Sequence, residues 1–270
     1  MRCLPVISLL LCSLSLWGKA PSDSLKLSKL DSALVHYTSM METESVDVKN
    51  GECDFLISSV GDDETARHIA LWLFDHYRNS RLMGDEAVAV YVFDKYFDNG
   101  PYKMRSDFDR MDAGIFVSFN RSTLLGMKAP VVALTSRCGR KVELPRDGGI
   151  SVLFFYDTSC NKCKIEAQLL PDVMKTVDFP LTFYAVYCGD DRRSWNDFRR
   201  HFRLRNSKVE TIHLWDPEME TEYLRLYGVI STPRIYVTDK DRTVLGRRLE
   251  VDSLQEILNY IHESYAQKEN

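Results

Sequence analysis

The sequence predicts an α/β domain, a central sheet flanked by helices, preceded by a mainly α-helical region. Its 270 residues are 44% hydrophobic and 27% charged, an ordinary globular composition, and this length allows one or two domains. Helical periodicity dominates residues 21–125, whereas short strand-like runs alternate with helical segments over residues 126–270. Gly126 and Pro130 mark the change between the two regions.

Residues 1–20 form an apolar segment that begins with Arg2 after the initiator and ends near the small residues Gly18 and Ala20. The segment is too short to cross a bilayer comfortably and has the pattern of a secretory signal peptide. A buried core helix is the alternative, but the segment has no polar face. We therefore expect an exported, soluble protein with no transmembrane segment in the mature chain.

The formal net charge of −4 and the scattered basic residues predict no nucleic-acid binding. One arginine cluster, DDRRSWNDFRRHFRLR at residues 190–205, starts among acidic residues and is expected to be the solvated face of a helix. His36, His68 and His76 have no partner in sequence, so we expect them at the surface or hydrogen-bonded in the core.

The clearest helical pattern of the N-terminal region follows Asp62. Apolar residues recur there at three- and four-residue steps behind an acidic start, which predicts an amphipathic helix packed by one face. These residues are Ala66, Ile69, Ala70, Leu73, Phe74 and Tyr77. The next run, GDEAVAVYVFDKYFDNG at residues 84–100, fits a buried helix or a strand, and its acidic opening and Gly100 favour a helix.

The C-terminal region contains the strand-like runs VVAL, GISVLFFY, LTFYAVYC, IHLWD, RIYVTD and TVLGRRLE. One helical segment follows Cys160, and a second covers about residues 195–202. A last helix is expected from Asp252 to Tyr265, because DSLQ at its start resembles a capping box and an apolar stripe follows. This alternation predicts a sheet covered by helices.

Two cysteines lie where the strand-like VLFFY runs into a helix, in VLFFYDTSCNKCKIEAQLL at residues 152–170. Cys160 is placed at the helix N-terminus, where unpaired N–H groups and the helix dipole favour an anion and lower a thiol pKa from about 8.5. Lys162 adds positive charge, and Cys163 lies one turn later, within disulfide reach. We predict a redox pair in which Cys160 attacks and Cys163 resolves the mixed disulfide.

Two other interpretations of this pair stay open. A zinc site needs two more ligands, yet the sequence has no second CxxC and no HxxxH, and Cys138 and Cys188 could contribute only singly. A structural disulfide is compatible with export, although so short a loop gains little entropy from closure. We predict no metal and no other cofactor.

A proline stands immediately before the strand-like RIYVTD, in the pair Thr232-Pro233. Proline cannot donate to a sheet ladder, and a cis X-Pro turn that faces the dithiol explains its position.

Taken together, residues 126–265 resemble the thioredoxin superfamily, most closely the TlpA/ResA-like thiol-disulfide oxidoreductases of the bacterial cell envelope. The matching motifs, in chain order, are GMKAP, GRKVEL, VLFFYDTSCNKC, Glu166 and LWDPEMETEYLRLYGVISTPRIYVTDKDRTVLG. The N-terminal region resembles the helical extension of some of these proteins. The resemblance implies a thioredoxin-like fold with a central mixed sheet at residues 126–270, after a signal peptide at 1–20 and a helical domain at 21–125.

The same resemblance implies an enzyme of the bacterial periplasm or cell envelope that exchanges disulfides with protein substrates. It implies a reductase supplied by a membrane electron donor. The implied catalytic residues are Cys160, Cys163 and Glu166. The implied substrate-contacting residues are Asn161, Lys162, Thr232 and Pro233.

The chain also departs from the family pattern. Ser159 replaces a frequent tryptophan, and Phe154 occupies the position of the buried aspartate of thioredoxin, so proton transfer would fall to Glu166 unless that residue is a solvated helix carboxylate. Pro171 is displaced from the usual kink position and would bend or end the helix. These departures support an alternative from another class, a non-catalytic thioredoxin-fold binding module with a structural disulfide.

The remaining cysteines have less informative surroundings in the sequence. By the resemblance, Cys188 would be a buried, inert thiol at the end of the second core strand. Cys53 and Cys138 could form a disulfide, although no pattern brings them together.

Overall fold

The computed structural model describes the backbone of residues 23–266 and the side chains of residues 26–264. The predicted signal peptide, residues 1–20, lies outside the described residues, so export stays a prediction. The chain forms two compact units divided between Ser45 and Val46, and the first contains helix α1, Asp23–Ser39. The predicted domain boundary at residue 125 stays a prediction.

The second unit begins with helices. They are α2 (Val46–Ser58), α3 (Asp63–Arg78), α4 (Asp85–Phe93) continued by a π-helix (Asp94–Asp98), and α5 (Asp107–Asn120) followed by a 3₁₀ turn (Arg121–Thr123). The helix predicted after Asp62 is confirmed: the Asp62 carboxylate accepts the N–H of Thr65 at 2.8 Å, and the six apolar residues of its predicted face are all buried. The run at residues 84–100 is helical, as its acidic start indicates.

A seven-stranded mixed sheet follows. Its strands are β1 (Val132–Ser136), β2 (Lys141–Leu144), β3 (Ile150–Tyr156), β4 (Leu181–Tyr187), β5 (Val209–Trp215), β6 (Arg234–Thr238) and β7 (Val244–Arg247). The strand order is β2-β1-β5-β4-β3-β6-β7, in which β3, β4 and β5 are parallel and the other pairings are antiparallel. The helices between the strands are α6 (Asn161–Lys175), α7 (Arg192–His201) and α8 (Tyr223–Leu226), and α9 (Val251–Ala266) follows the last strand. The predicted fold class is confirmed.

Strand β3 lies inside the sheet, between β4 and β6, and every one of its residues is buried. Because side chains alternate across a strand, Phe154 and Tyr156 enter the core on one face of the sheet, while Leu153 and Phe155 enter the core on the other. A strand buried on both faces reads as a continuous apolar run in sequence, as VLFFY does. Its carboxyl end leads directly to the two cysteines.

Arg247 in strand β7 is fully buried and joins the helices to the sheet within the second unit. Its Nη1 lies 3.0 Å from Glu86 Oε1 on α4, and its Nη2 donates to Asn120 Oδ1 on α5 at 2.9 Å. Burying a guanidinium is costly unless it is paired and hydrogen-bonded, so these contacts hold helices α4 and α5 against the edge of the sheet. No pattern in the sequence indicates this contact. Within residues 23–266, no helix combines the length and hydrophobicity that crossing a membrane requires.

Replacing Arg247 with leucine is expected to lower the free energy of unfolding by about 3 kcal/mol or more, because it leaves the Glu86 carboxylate buried without its cation. Urea unfolding measures this change. Lys175→Ala is the matched control, since it removes an exposed ion pair with Asp172, a kind of pair that contributes about 1 kcal/mol at most. Equal losses in the two variants would show that the buried pair does not hold the helices in place.

Candidate active site

Cys160 is the N-cap residue of α6, as the sequence predicts. Its backbone is extended, with φ −76° and ψ 119°, and its Sγ accepts the N–H of Cys163 at 3.1 Å. The preceding turn is fixed by Asp157, whose Oδ1 accepts the N–H and the hydroxyl of Ser159, each at 2.7 Å. The loop after β3 therefore holds the sulfur of Cys160 at the positive end of the helix.

The two sulfurs have different surroundings. Cys160 is partly exposed, whereas Cys163 is only 2% exposed. Burial opposes ionisation of Cys160, but hydrogen bonds from the thiol and the N–H of Cys163 outweigh it, so the pKa of Cys160 is lowered. Burial raises the pKa of the Cys163 thiol to about 12. A thiol with a lowered pKa and a thiol with a raised pKa thus lie one helical turn apart.

The loop before β6 supplies a third part of the site. The Thr232–Pro233 peptide bond is cis, as predicted, and the thiol of Cys160 donates to the carbonyl oxygen of Thr232 at 3.3 Å. The antiparallel pairing of β6 with β3 places the start of β6 beside the carboxyl end of β3. The structure therefore brings Thr232 and Pro233 to the dithiol. A second cis bond, Leu144–Pro145, was not anticipated.

Glu166 is buried on α6, 7% exposed, so its interpretation as a solvated helix carboxylate is wrong. Its Oε2 accepts the N–H of Val251 at 3.0 Å. Burial raises the pKa of Glu166, although this hydrogen bond and the charge of Lys162 oppose the change. Helix α9 starts at Val251, one residue before the predicted capping box. The first N–H of α9 is therefore accepted by the Glu166 carboxylate of α6.

The residues between the cysteines, Asn161 and Lys162, are exposed. The Lys162 Nζ lies 2.5 Å from Glu250 Oε1, which places this cation between the dithiol helix and the start of α9. Both residues lie beside Cys160 on the surface of the protein. Their assignment to substrate contact stays a prediction.

Phe154 is fully buried beneath the dithiol and stacks against Tyr156, with ring centroids 5.4 Å apart. No carboxylate stands at this position, so the floor of the site is apolar. Ser159 is exposed and leaves the surface beside Cys160 small and polar. Pro171 lies inside α6, which continues to Lys175, so the proline does not end the helix.

All five cysteines within the described residues are free thiols. Cys53 is buried in α2, and Cys138 is exposed in the turn between β1 and β2, so the structure does not pair them. Cys188 directly follows β4, and burial raises the pKa of its thiol to about 12, in keeping with the inert role expected of it. Among the described residues, no group of three or more histidine, cysteine, aspartate or glutamate side chains is placed to hold a metal ion.

Sequence reasoning missed the surroundings of helix α7. The predicted solvated helix is present, but its inner face packs against the floor of the site: Phe198 stacks on Tyr156 with ring centroids 4.0 Å apart. A groove opens between α7 and α6 beside Cys163. The apolar residues at three- and four-residue spacing within the arginine cluster, Trp195, Phe198 and Phe202, are the signal that could have indicated this packing.

The class of fold is now defined: the chain has a thioredoxin-like fold, in which a CxxC pair at a helix N-terminus faces a cis-proline loop. A crystal structure of a thioredoxin-like protein from Bacteroides caccae is similar to it, with a TM-score of 0.64 and 16% identity over 86% of this chain and 84% of that one. Because this match is longer than residues 126–270, the shared architecture extends into the helical region.

Two further solved structures match about half of the chain. The thioredoxin domain of a thiol-disulfide oxidoreductase from Bacteroides vulgatus has a TM-score of 0.45 and 18% identity over 51% of this chain and 96% of that one. A domain of a possible thiol-disulfide isomerase from Cytophaga hutchinsonii has a TM-score of 0.44 and 24% identity over 53% and 97%. No protein-family model and no curated protein sequence matches the chain.

Alkylation of Cys160 in the reduced, folded protein is expected to persist at pH values where a free thiol has stopped reacting. A lowered pKa keeps the thiolate populated as the pH falls below about 8.5, so the pH profile of the rate moves to lower pH. Iodoacetamide labelling followed by peptide mass spectrometry measures this profile, with the same peptide in the urea-unfolded chain as the reference. Coincident profiles in the folded and unfolded chain would contradict the role of the helix terminus.

Proposed function

We propose that this chain is an exported thiol-disulfide oxidoreductase that reduces disulfides in protein substrates through Cys160 and Cys163. The observation that carries this proposal is the position of the Cys160 sulfur, which lies 3.1 Å from the N–H of Cys163 and 3.3 Å from the carbonyl of Thr232. A partly exposed thiolate beside a buried thiol is suited to attack on a disulfide followed by resolution.

In the first step, the Cys160 thiolate attacks one sulfur of the substrate disulfide. A bond forms between Cys160 and that sulfur, the substrate S–S bond breaks, and the leaving thiolate takes a proton from solvent. The carbonyl of Thr232, which accepts a hydrogen bond from the Cys160 thiol, becomes available to a backbone N–H of the substrate once the thiol proton is lost. The substrate chain then lies along the loop of Pro233.

In the second step, Cys163 loses its proton, and its thiolate attacks Cys160 Sγ. The Cys160–Cys163 disulfide forms, the mixed disulfide breaks, and the second substrate sulfur leaves as a thiol with the proton that Cys163 gave up. The dithiol loses an electron pair and the substrate gains it. Because burial raises the pKa of Cys163 to about 12, this step needs a base, and buried Glu166 on the same helix is the proposed acceptor.

Return to the dithiol requires an external thiol reductant, and we assign this role to an electron donor in the membrane. The protein would act in the bacterial periplasm or cell envelope after removal of residues 1–20. In this proposal residues 126–270 form the catalytic domain, and residues 21–125 form a helical domain that contributes to partner choice. Asn161, Lys162, Thr232 and Pro233 would contact the substrate.

The second candidate is a binding module in which the Cys160–Cys163 bond is a permanent structural link. The buried Phe154 and the exposed Ser159, which replace groups that assist exchange in related domains, favour this reading. The two candidates differ in whether the pair exchanges with an external disulfide.

Turnover of a disulfide in an unfolded protein substrate tests the proposal. Cys160→Ser is expected to reduce the rate to that of the reductant alone, because the attacking sulfur is lost. Cys163→Ser is expected to accumulate a mixed disulfide with the substrate, visible on a non-reducing gel, because the resolving sulfur is absent. Cys138→Ser, a change to an exposed cysteine in the β1–β2 turn, is the matched control and should keep full activity. Unchanged activity in Cys160→Ser, or a wild-type pair that resists dithiol reductants, would favour the binding module.

Glu166→Gln is expected to slow the release of substrate from the mixed disulfide by about a hundredfold, the low end of the range for loss of a proton acceptor. Glutamine keeps an oxygen for the N–H of Val251, so helix α9 should stay in place. Because the pKa of Glu166 is raised, its carboxylate takes up a proton at a higher pH than an ordinary carboxylate does. As the pH is lowered, the wild-type rate should therefore begin to fall at a higher pH than an ordinary carboxyl would give. Single-turnover kinetics across pH measures both effects, with Glu263→Gln, an exposed carboxylate on α9, as the control. A normal rate and pH profile in Glu166→Gln would remove this residue from the mechanism.

A further inference from the structure

A groove of about 1200 Å³ lies between α6 and α7 and reaches Cys163. Its apolar lining comes from Tyr156, Ala167, Phe198 and Phe202, and the loop of Asp157 forms the end nearest the dithiol. The proposed chemistry does not use this groove. Its volume is somewhat above the roughly 300–1000 Å³ of typical small-molecule sites, so it has room for a peptide segment.

The rim of the groove is strongly cationic. Lys164 lies on the α6 side and Arg192, Arg193 and Arg200 on the α7 side, and all four are exposed. Arginine is also frequent just beyond the rim, so that the stretch of residues 192–205 contains six arginines. A chain with a net charge of −4 thus concentrates positive charge beside its reactive sulfurs.

These six arginines form no ion pair with any carboxylate of the described residues, whereas eight arginines elsewhere in the same part of the chain do. Arg199 donates to Asn196 and lies over the ring of Trp195, and Arg203 donates to the carbonyl oxygen of Arg199. No ion pair among the described residues therefore offsets the charge of these arginines.

The acidic side chains of the groove have other partners. Asp191 accepts the N–H groups of Arg193 and Ser194 as the N-cap of α7. Asp157 accepts both donors of Ser159. Asp197 lies 3.5 Å from His201. None of the three forms an ion pair with an arginine side chain of the rim, although the hydrogen bonds of Ser194 and Arg193, and then the charge of Arg193, lower the pKa of Asp191.

Two neighbouring groups respond to the excess positive charge. Burial and then the charges of Arg137, Arg200 and Arg203 lower the pKa of Arg199. Burial and then the charges of Arg199 and Arg203 lower the pKa of His213, on β5 behind α7, to about 4. The positive field therefore extends from the rim into the adjacent core.

We propose that this groove binds an acidic peptide segment of the protein substrate, next to the disulfide that Cys160 attacks. The proposal rests on the proposed function and adds the substrate class. Guanidinium groups hold carboxylates with paired, charge-assisted hydrogen bonds, and the apolar lining accommodates the stems of glutamate side chains. An extended peptide fits a concave site that reaches Cys163, three residues from Cys160, whereas a flat membrane surface cannot enter it.

The test compares two short peptides, each carrying a cysteine in a disulfide with a second copy of itself. One peptide has glutamates on both sides of the cysteine, and the other has glutamines at the same positions. Wild-type dithiol is expected to reduce the acidic peptide about tenfold faster at low salt, and the difference should shrink as salt rises, because screening weakens attraction between exposed charges. Arg192→Glu/Arg193→Glu should abolish the preference, while reduction of the uncharged 2-hydroxyethyl disulfide stays unchanged.

The variant is designed to preserve folding, because both substitutions lie in the first turn of α7, where glutamate interacts favourably with the helix dipole. Lys208→Glu/Lys240→Glu is the matched control. Both lysines are exposed. Lys208 directly precedes β5 and Lys240 follows the end of β6, so both lie at the end of the strands that is remote from the dithiol. This control makes the same change in net charge and should keep the preference for the acidic peptide.

Binding of a cysteine-free acidic peptide, followed by fluorescence anisotropy, gives a readout that needs no redox activity. Weaker binding of the acidic peptide to the arginine variant than to the lysine variant supports the groove proposal, whether or not the dithiol is active. An inactive dithiol would reject the proposed oxidoreductase function alone. Equal binding of acidic and neutral peptides to the wild type overturns the groove proposal. Equal reduction of both peptides overturns it as well, while leaving the oxidoreductase proposal intact.

Discussion

The hydrogen bond from the backbone N–H of Cys163 to Cys160 Sγ is the interaction on which the rest of the site depends. Oxygen atoms of serine, threonine, aspartate or asparagine usually cap a helix, and here a sulfur occupies that position. A thiolate accepts a hydrogen bond far better than a thiol does, so helix capping and ionisation of Cys160 favour each other. The same bond fixes the distance between the attacking and the resolving residue, because both belong to one helical turn.

Around that bond, burial separates the properties of the two cysteines. Cys160 meets solvent and the carbonyl of Thr232, whereas Cys163 faces the apolar floor formed in part by Phe154. Glu166 connects this helix to α9, because its carboxylate accepts the first N–H of α9 while remaining the nearest buried acid on the dithiol helix. A single carboxylate can thus contribute to stability and, in the proposed mechanism, to proton transfer.

The fully buried Arg247 gives the helical region a structural role, because Glu86 and Asn120 on α4 and α5 supply its partners. Removing these helices would leave a guanidinium without partners at the edge of the sheet, which is unfavourable in an apolar environment. Arg192, Arg193 and Arg200 have the opposite character, since they are exposed and line the groove that reaches Cys163. The buried charge of Arg247 is paired within the protein, whereas the exposed arginines at the groove have no carboxylate partner among the described residues.

Local patterns in the sequence determined the order of helices and strands, the position of Cys160 at a helix start, and the turn at Pro233, because periodicity, caps and proline act over a few residues. The resemblance carried by the ordered motifs predicted the fold. Only the tertiary structure decided that Glu166 is buried against Val251, that Arg247 joins helices to the sheet, and that α7 and α6 enclose a cationic groove. Each of these contacts joins residues distant in the chain, and which side chains meet there depends on how the helices pack on the sheet.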